Sequence, residues 1–133
     1  MTRPLRSIDI PDLAHQAPIP AAARVGNVLC TSAVSGKDPA TSKLAPTASG
    51  QAVQAFVNLR RVLEAGGATL ADVVKLTVYV KDDSVREPVN AQWLACFPDP
   101  RDRPARHIVV HDLQHGMQLQ LECLAVVADA NQG

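Results

Sequence analysis

The spacing of apolar and polar residues changes several times along the chain, and each change predicts an element. Across residues 49–65 apolar residues recur every three or four positions, which predicts a helix that ends at the Gly66-Gly67 pair. The inward stripe of this helix consists of Ala52, Phe56, Leu59 and Leu63. The polar residues expected largely off that stripe are Gln54, Asn58, Arg60, Arg61 and Glu64.

A stricter alternation follows this helix. In residues 72–81, Val74, Leu76, Val78 and Val80 share one face, so the segment is predicted to be a strand with that face in the core. Residues 84–97 predict a second helix with Val85, Val89, Trp93 and Phe97 inward, opened by a capping box at residues 84–87. Two further strands are predicted at residues 107–111 and 117–127, joined by a turn-forming segment.

The first third of the chain is less regular. Residues 1–23 are rich in proline, and a short strand is expected at residues 5–8. Pro18 and Pro20 argue against a helix in this stretch. Residues 24–27 are predicted to form a turn that opens a buried strand at residues 28–32. Residues 35–42 contain many turn formers and are predicted to be an exposed loop.

The predicted order is β-β-α-β-α-β-β, in which both helices follow strands. It indicates an α+β fold with a mixed sheet and both helices packed on one face. The 133 residues suffice for a single domain, residues 1–133. Val73, Leu124 and Val126 would then be exposed on the other face of the sheet, which favours self-association.

Charge and cysteine content exclude several classes of protein. The 13 basic and 13 acidic residues cancel and form no basic stripe, so nucleic-acid binding is not expected. Cys30, Cys96 and Cys123 lie in apolar runs without C-x-x-C spacing, and we interpret them as buried, reduced thiols rather than nucleophiles. With no signal peptide and no membrane-spanning run, the expected location is the cytoplasm.

Histidine spacing suggests a metal site that the predicted strand argues against. His107, His111 and His115 lie four residues apart, which would place them on one face of a helix. Along a strand, four residues span roughly 13 Å, too far for two ligands of one ion. We therefore expect no metal.

Arg106 and Glu122 are the residues with the strongest candidate chemistry. Arg106 opens one predicted strand and Glu122 lies late in the next, so antiparallel pairing of the two strands would place them near the same end of a sheet. An arginine binds a carboxylate through two hydrogen bonds, and a glutamate accepts a proton or orients water. An ordinary Arg–Glu ion pair is the structural alternative.

A set of short motifs, spread from residue 19 to residue 127, resembles the reactive intermediate deaminase family (Rid, also called YjgF or L-PSP). The motifs are R-V-G-N-V-L at 24–29, T-S at 31–32, G-K-D-P at 36–39, N-L at 58–59, D-V-V-K-L-T-V-Y at 72–79, Asn90, R-P-A-R at 103–106 and Glu122. Their order and spacing carry the resemblance more than any single motif.

The resemblance implies a chorismate-mutase-like fold and a homotrimer with clefts between its subunits. It also implies hydrolysis of reactive enamines or imines to a 2-oxo acid and ammonia, without metal or cofactor. By position, Arg106 matches the arginine that binds the substrate carboxylate, and Glu122 matches the acid that positions the attacking water. Ser32 and Asn90 match residues that line the cleft.

Three cleft positions depart from the family pattern. Ile19 replaces a tyrosine, Ala33 replaces the glycine of a serine–glycine pair, and Ile108 replaces a cysteine. A more apolar cleft indicates a changed substrate preference, since one hydrophobic exchange shifts preference by about 1–3 kcal/mol.

Three functions follow from the resemblance. The first is deamination of a 2-aminoacrylate-like or a pathway-specific aminomuconate-like substrate. A non-catalytic ligand-binding trimer that uses the same clefts is the alternative. An endoribonuclease is less favoured, because charges are balanced and aromatics are few.

Overall fold

The computed structural model describes residues 4–128. The sequence also predicts a frayed tail at residues 128–133, which lies outside the described residues except for residue 128. Its strands are β1 (Ser7–Ile8), β2 (Ala22–Val25), β3 (Val28–Thr31), β4 (Val34–Ser35), β5 (Lys37–Asp38), β6 (Lys43–Leu44), β7 (Val73–Val80), β8 (Ala105–Val110) and β9 (Leu119–Val126). Its helices are α1 (Ala48–Ala65) and α2 (Arg86–Cys96).

The main sheet is mixed. Its strand order is β1-β2-β3-β9-β7-β8, β4 pairs with β9, and β5 and β6 form a separate ribbon. The β7–β8 pair is parallel and the other pairs are antiparallel. Because α2 connects β7 to its parallel neighbour β8, the connection is a crossover. This confirms the α+β class with a mixed sheet and two helices.

Both helices face one apolar core with alternate residues of the central strands. Leu76, Val78 and Val80 of β7 are fully buried there, beside alternate residues of β9. The predicted inward residues of both helices are buried, so the three- and four-residue spacing gave the core stripes correctly. Fully burying one such side chain contributes about 1.5–3 kcal/mol.

Asn58 was expected off the buried stripe of α1, and that expectation is wrong. It is 1% exposed, and its Nδ2 donates to the carbonyls of Ser35 at 2.9 Å and Lys37 at 2.8 Å. Gln51, which is also buried, donates to the Gly116 carbonyl and accepts from the Gln118 amide. The two side-chain amides thus provide hydrogen-bond partners for backbone groups outside α1.

The start of α2 also differs from the prediction. The capping box at residues 84–87 does not form; a 3-10 turn at Asp83–Val85 precedes the helix, and the Asp82 carboxylate accepts from the Ser84 amide. A capping box occurs instead between Thr69 and Asp72, before β7.

A register shift at the start of β7 reverses two predicted side-chain directions. The shift lies between Val73 and Lys75, so Val73 is buried and Val74 is 47% exposed. A bulge adds one residue to one strand of a pair, which a strict two-residue alternation cannot anticipate. The expectation that Val73 is exposed and Val74 buried is therefore wrong, whereas Leu124 and Val126 are exposed as predicted.

Three predictions in the first third of the chain need correction. Arg24 and Val25 belong to β2, so the turn is only the Gly26-Asn27 pair, with Gly26 at a φ of 58°. In β3 only Leu29 is buried, while Val28 and Cys30 are exposed, because the strand alternates. The predicted loop at residues 35–42 contains β5 and is framed by β4 and β6.

Candidate functional site

Arg106 lies near the start of β8, on the side of the sheet that faces α2. Its register partner is the buried Leu76, and paired residues share a face. The Arg106 Nη1 donates to Asn90 Oδ1 at 2.8 Å, and the guanidinium carbon lies 5.0 Å from the ring centroid of Trp93. Asn90 and Trp93 are three residues apart on α2 and so meet Arg106 from one helical face.

The charge of Arg106 persists despite its partial burial. Desolvation lowers the pKa of Arg106, and the like charge of Arg86 lowers it further. A guanidinium stays protonated at neutral pH even so. The position therefore offers a permanent cation beside two residues of α2.

Glu122 lies in the middle of β9, on the face of the sheet opposite the two helices, which we call the open face. The Tyr79 hydroxyl donates to Glu122 Oε1 at 3.0 Å, and this bond, together with the carboxylate charge, raises the pKa of Tyr79. Glu122 lines a shallow depression of about 280 Å³ that also contains Lys75 and Thr77. The Glu122 carboxylate, the Lys75 amine and the hydroxyl-bearing side chains of Thr31 and Thr77 thus line the same space.

The structure does not bring Arg106 and Glu122 together within one chain. The expected antiparallel pairing of β8 with β9 is wrong, because β7 lies between them. Arg106 is paired with Leu76, whereas Glu122 is paired with Thr77, the next residue. Successive residues of a strand point to opposite faces, so Arg106 and Glu122 lie on opposite faces of the sheet.

The other predicted site residues fall into separate groups. Ile108 shares the face of Arg106 and packs against the core. The Ser32 hydroxyl donates to the Pro20 carbonyl at 2.8 Å, which places Ser32 beside the segment that carries the exposed Ile19. Ala33 lines a larger cavity, of about 600 Å³, together with His15, Lys37, His115, Gln120 and others.

Two residues at these positions were not predicted as site residues. Trp93 was interpreted as core only; it is 9% exposed and also contacts Arg106. Tyr79 was placed correctly on the face opposite the core but without a role. Two features of the sequence indicated these positions. Asn90 and Trp93 are three residues apart on a helix, and Thr77 and Tyr79 are two residues apart on a strand, so each pair shares a face.

The cysteines only partly match the expectation of buried thiols. Cys123 is buried, and burial raises its pKa to about 12. Cys96 is half-buried and Cys30 is exposed on the open face, since it pairs with the outward-facing Leu124. All three are free thiols.

Within residues 4–128, His, Cys, Asp and Glu side chains form no group of three that could hold a metal ion. The histidines of the predicted series diverge: His111 packs edge-on against Tyr79, and His115 adopts a φ of 62° in the following turn. Over the same range, neither helix has the length and apolar character needed to cross a membrane.

Known proteins resemble this chain over most of its length. The family model described as Endoribonuclease L-PSP matches residues 12–127. A protein of Salmonella typhimurium named 2-iminobutanoate/2-iminopropanoate deaminase is 36% identical over 104 residues, which cover 77% of this chain and 81% of that protein. The protein of the same name from Escherichia coli is 34% identical over the same shares.

Solved structures of other proteins have a similar fold. The crystal structure of RidA from an Antarctic Psychrobacter has a TM-score of 0.83 at 31% identity and covers 92% of this chain and 100% of its own. The YjgF gene product of Escherichia coli has a TM-score of 0.81 at 30% identity and covers 91% and 98%.

Proposed function

Because the chain belongs to the reactive intermediate deaminase (Rid, YjgF or L-PSP) family, we propose that it hydrolyses reactive enamines or imines to a 2-oxo acid and ammonia. The observation that carries this proposal is the guanidinium of Arg106, held by Asn90 and still able to receive an anion. Relatives at 34–36% identity that are named imine deaminases support the reaction class.

The reaction needs a carboxylate anchor and one general acid–base group. Arg106 binds the substrate carboxylate, the enamine tautomerises to the imine, and a water held by Glu122 adds to the imine carbon. Glu122 takes one proton from that water and passes it to the imine nitrogen, which gives a carbinolamine. Glu122 then relays the hydroxyl proton of the carbinolamine to the same nitrogen, so that the C–N bond breaks as the C=O bond of the 2-oxo acid forms and ammonia leaves. Such proton transfer contributes about 10²–10⁴-fold.

A substrate shared by Arg106 and Glu122 requires two copies of the chain. Since the two residues lie on opposite faces of one sheet, Arg106 of one subunit would meet Glu122 of another in a cleft between subunits. The open face also exposes Val28 and Val126, which are paired with each other across β3 and β9. We propose a homotrimer in which this face is covered.

Light scattering after size exclusion tests this assembly. The wild type is expected at three times the 14.2 kDa of one chain. Val126→Lys, which puts a charge on the covered face, is expected to dissociate the trimer and to reduce deamination at least about tenfold, because a charge in an apolar interface is costly. Val53→Lys on α1, 48% exposed against 45% for Val126, is the matched control and should change neither. An active monomer would contradict a cleft built from two subunits.

Release of 2-oxo acid from imines formed in situ tests the function itself. Purified protein is added to a serine or threonine dehydratase, and a 2-aminomuconate-type substrate is assayed in parallel. The wild type is expected to accelerate release, and Glu122→Gln is expected to lower kcat about 100-fold with little change in KM, because the carboxylate contact to Arg106 remains.

Glu64→Gln, which removes an exposed carboxylate at the end of α1, is the control for loss of charge. Equal kcat values for Glu122→Gln and Glu64→Gln would remove Glu122 from the mechanism. Binding of the 2-oxo acid without acceleration of any imine would instead indicate the non-catalytic ligand-binding trimer.

A further inference from the structure

Two residues of α2 hold the guanidinium of Arg106 in different ways. Asn90 Oδ1 accepts a hydrogen bond from Nη1 at 2.8 Å. Trp93 lies against it with its ring centroid 5.0 Å from the guanidinium carbon, within the range in which a cation is attracted to an aromatic face. One contact limits rotation and the other fixes the position of the group.

Trp93 is itself held firmly. It is 9% exposed, and its ring packs at 57° against that of Phe97, with 4.8 Å between their centroids. The Phe97 amide also donates to the Trp93 carbonyl at 2.8 Å, which closes the end of α2. A ring confined in this way cannot turn to follow a moving guanidinium, so it fixes where the guanidinium rests.

The hydrogen bonds of Arg106 leave one edge free. Within residues 4–128, Nε and Nη2 donate to no acceptor, whereas Nη1 is engaged by Asn90. The Nε–Nη2 edge therefore presents two parallel N–H groups, the arrangement that matches the two oxygens of a carboxylate.

We infer that Trp93 is a positioning residue for Arg106, and that with Asn90 it reserves the Nε–Nη2 edge of the guanidinium for a planar carboxylate of the ligand. This inference rests on the proposed function only for the identity of that ligand. The Trp93 ring holds the guanidinium in place, and its Nε–Nη2 edge selects carboxylates over anions that lack two coplanar oxygens. Trp93 acts through Arg106 and does not touch the reacting carbon.

Variants that separate the aromatic face from apolar bulk test the role of Trp93. Trp93→Leu is expected to raise KM for the imine and Kd for 2-oxobutanoate roughly threefold to tenfold, with kcat within about twofold of wild type. Trp93→Phe keeps an aromatic face and is expected to restore most of the affinity. Phe56→Leu, in the buried stripe of α1, also replaces a buried aromatic and should leave KM and Kd unchanged.

The NMR signal of the Arg106 Nε–H provides a readout that does not need turnover, and its shift on ligand binding is measured on the wild type alone. The signal is assigned by its absence in Arg106→Lys. We expect a ring-current displacement in the wild type, loss of that displacement in Trp93→Leu, and a further shift when 2-oxobutanoate binds to the wild type. A saturating carboxylate that leaves the Nε–H signal unmoved would overturn the assignment of the edge.

The two proposals fail in different ways. Acceleration of imine hydrolysis by the wild type, with unchanged KM and Kd in Trp93→Leu, would overturn the role of Trp93 alone. A carboxylate-induced shift of Nε–H without hydrolysis of any imine would overturn the proposed function and support the positioning of Arg106.

Discussion

Replacement of Arg106 by alanine is expected to reduce kcat/KM for imine hydrolysis by about 10²–10³-fold, because truncating one partner of a buried charged hydrogen-bonded pair costs 2–5 kcal/mol. The substrate carboxylate would lose its anchor, and Asn90 Oδ1 would lose its donor. Arg106→Lys keeps the charge but not the planar fork, so its kcat/KM is expected to lie between those of wild type and Arg106→Ala. Steady-state kinetics with in situ imines measures all three.

Arg101→Ala is the matched control for the loss of a guanidinium. Arg101 is exposed and is paired only with the neighbouring Asp99 within the described chain, at 3.4 Å. The kcat/KM of Arg101→Ala should remain within about twofold of wild type, since exposed ion pairs contribute little to stability. If Arg106→Ala retained the kcat/KM of Arg101→Ala, the substrate carboxylate would have to bind elsewhere.

Gly36→Ala is expected to lower the free energy of unfolding by about 3 kcal/mol, the upper end of typical overpacking costs. A Cβ on Gly36 would lie 2.9 Å from both the carbonyl carbon and the Cα of Gln51, and closer still to its carbonyl oxygen. These are backbone atoms in the first turns of α1, so relief requires moving the helix. Urea denaturation at one fixed protein concentration measures the change.

Gly26→Ala shows what glycine replacement costs without a clash. A Cβ on Gly26 would meet no atom within 4 Å, but the φ of 58° is strained for any other residue. The expected loss is therefore about 1 kcal/mol. Equal losses for the two variants would mean that α1 can shift to admit the extra methyl group at Gly36.

Elements whose side-chain period is fixed by local sequence were predictable. The stripes of α1 and α2 and the alternation of β9 each follow from one face meeting the core. The predictions that were wrong concern side chains whose direction depends on partners distant in sequence. Val74 points outward because of a bulge opposite β9, and Asn58 is buried because the carbonyls of residues 35 and 37 need donors.

The candidate site divides in the same way. Asn90 and Arg106 meet because α2 leads directly to β8, so proximity in sequence becomes proximity in space. Glu122 is separated from Arg106 because β7 lies between their strands. Arg106 pairs with Leu76 and Glu122 with the next residue, Thr77, so the two side chains lie on opposite faces. Strand order is a property of the whole sheet, and no motif around either residue encodes it.

The buried side-chain amides of Gln51 and Asn58 also affect how the protein opens. Each links α1 to backbone outside the helix: Asn58 to residues 35 and 37, and Gln51 to residues 116 and 118 and to the nearby residue 45. Detaching α1 would release all these groups at once, so we expect them to open as one cooperative unit in hydrogen exchange. We therefore expect the amide hydrogens of the segment after Ala33 and of the start of β9 to exchange as slowly as those of α1.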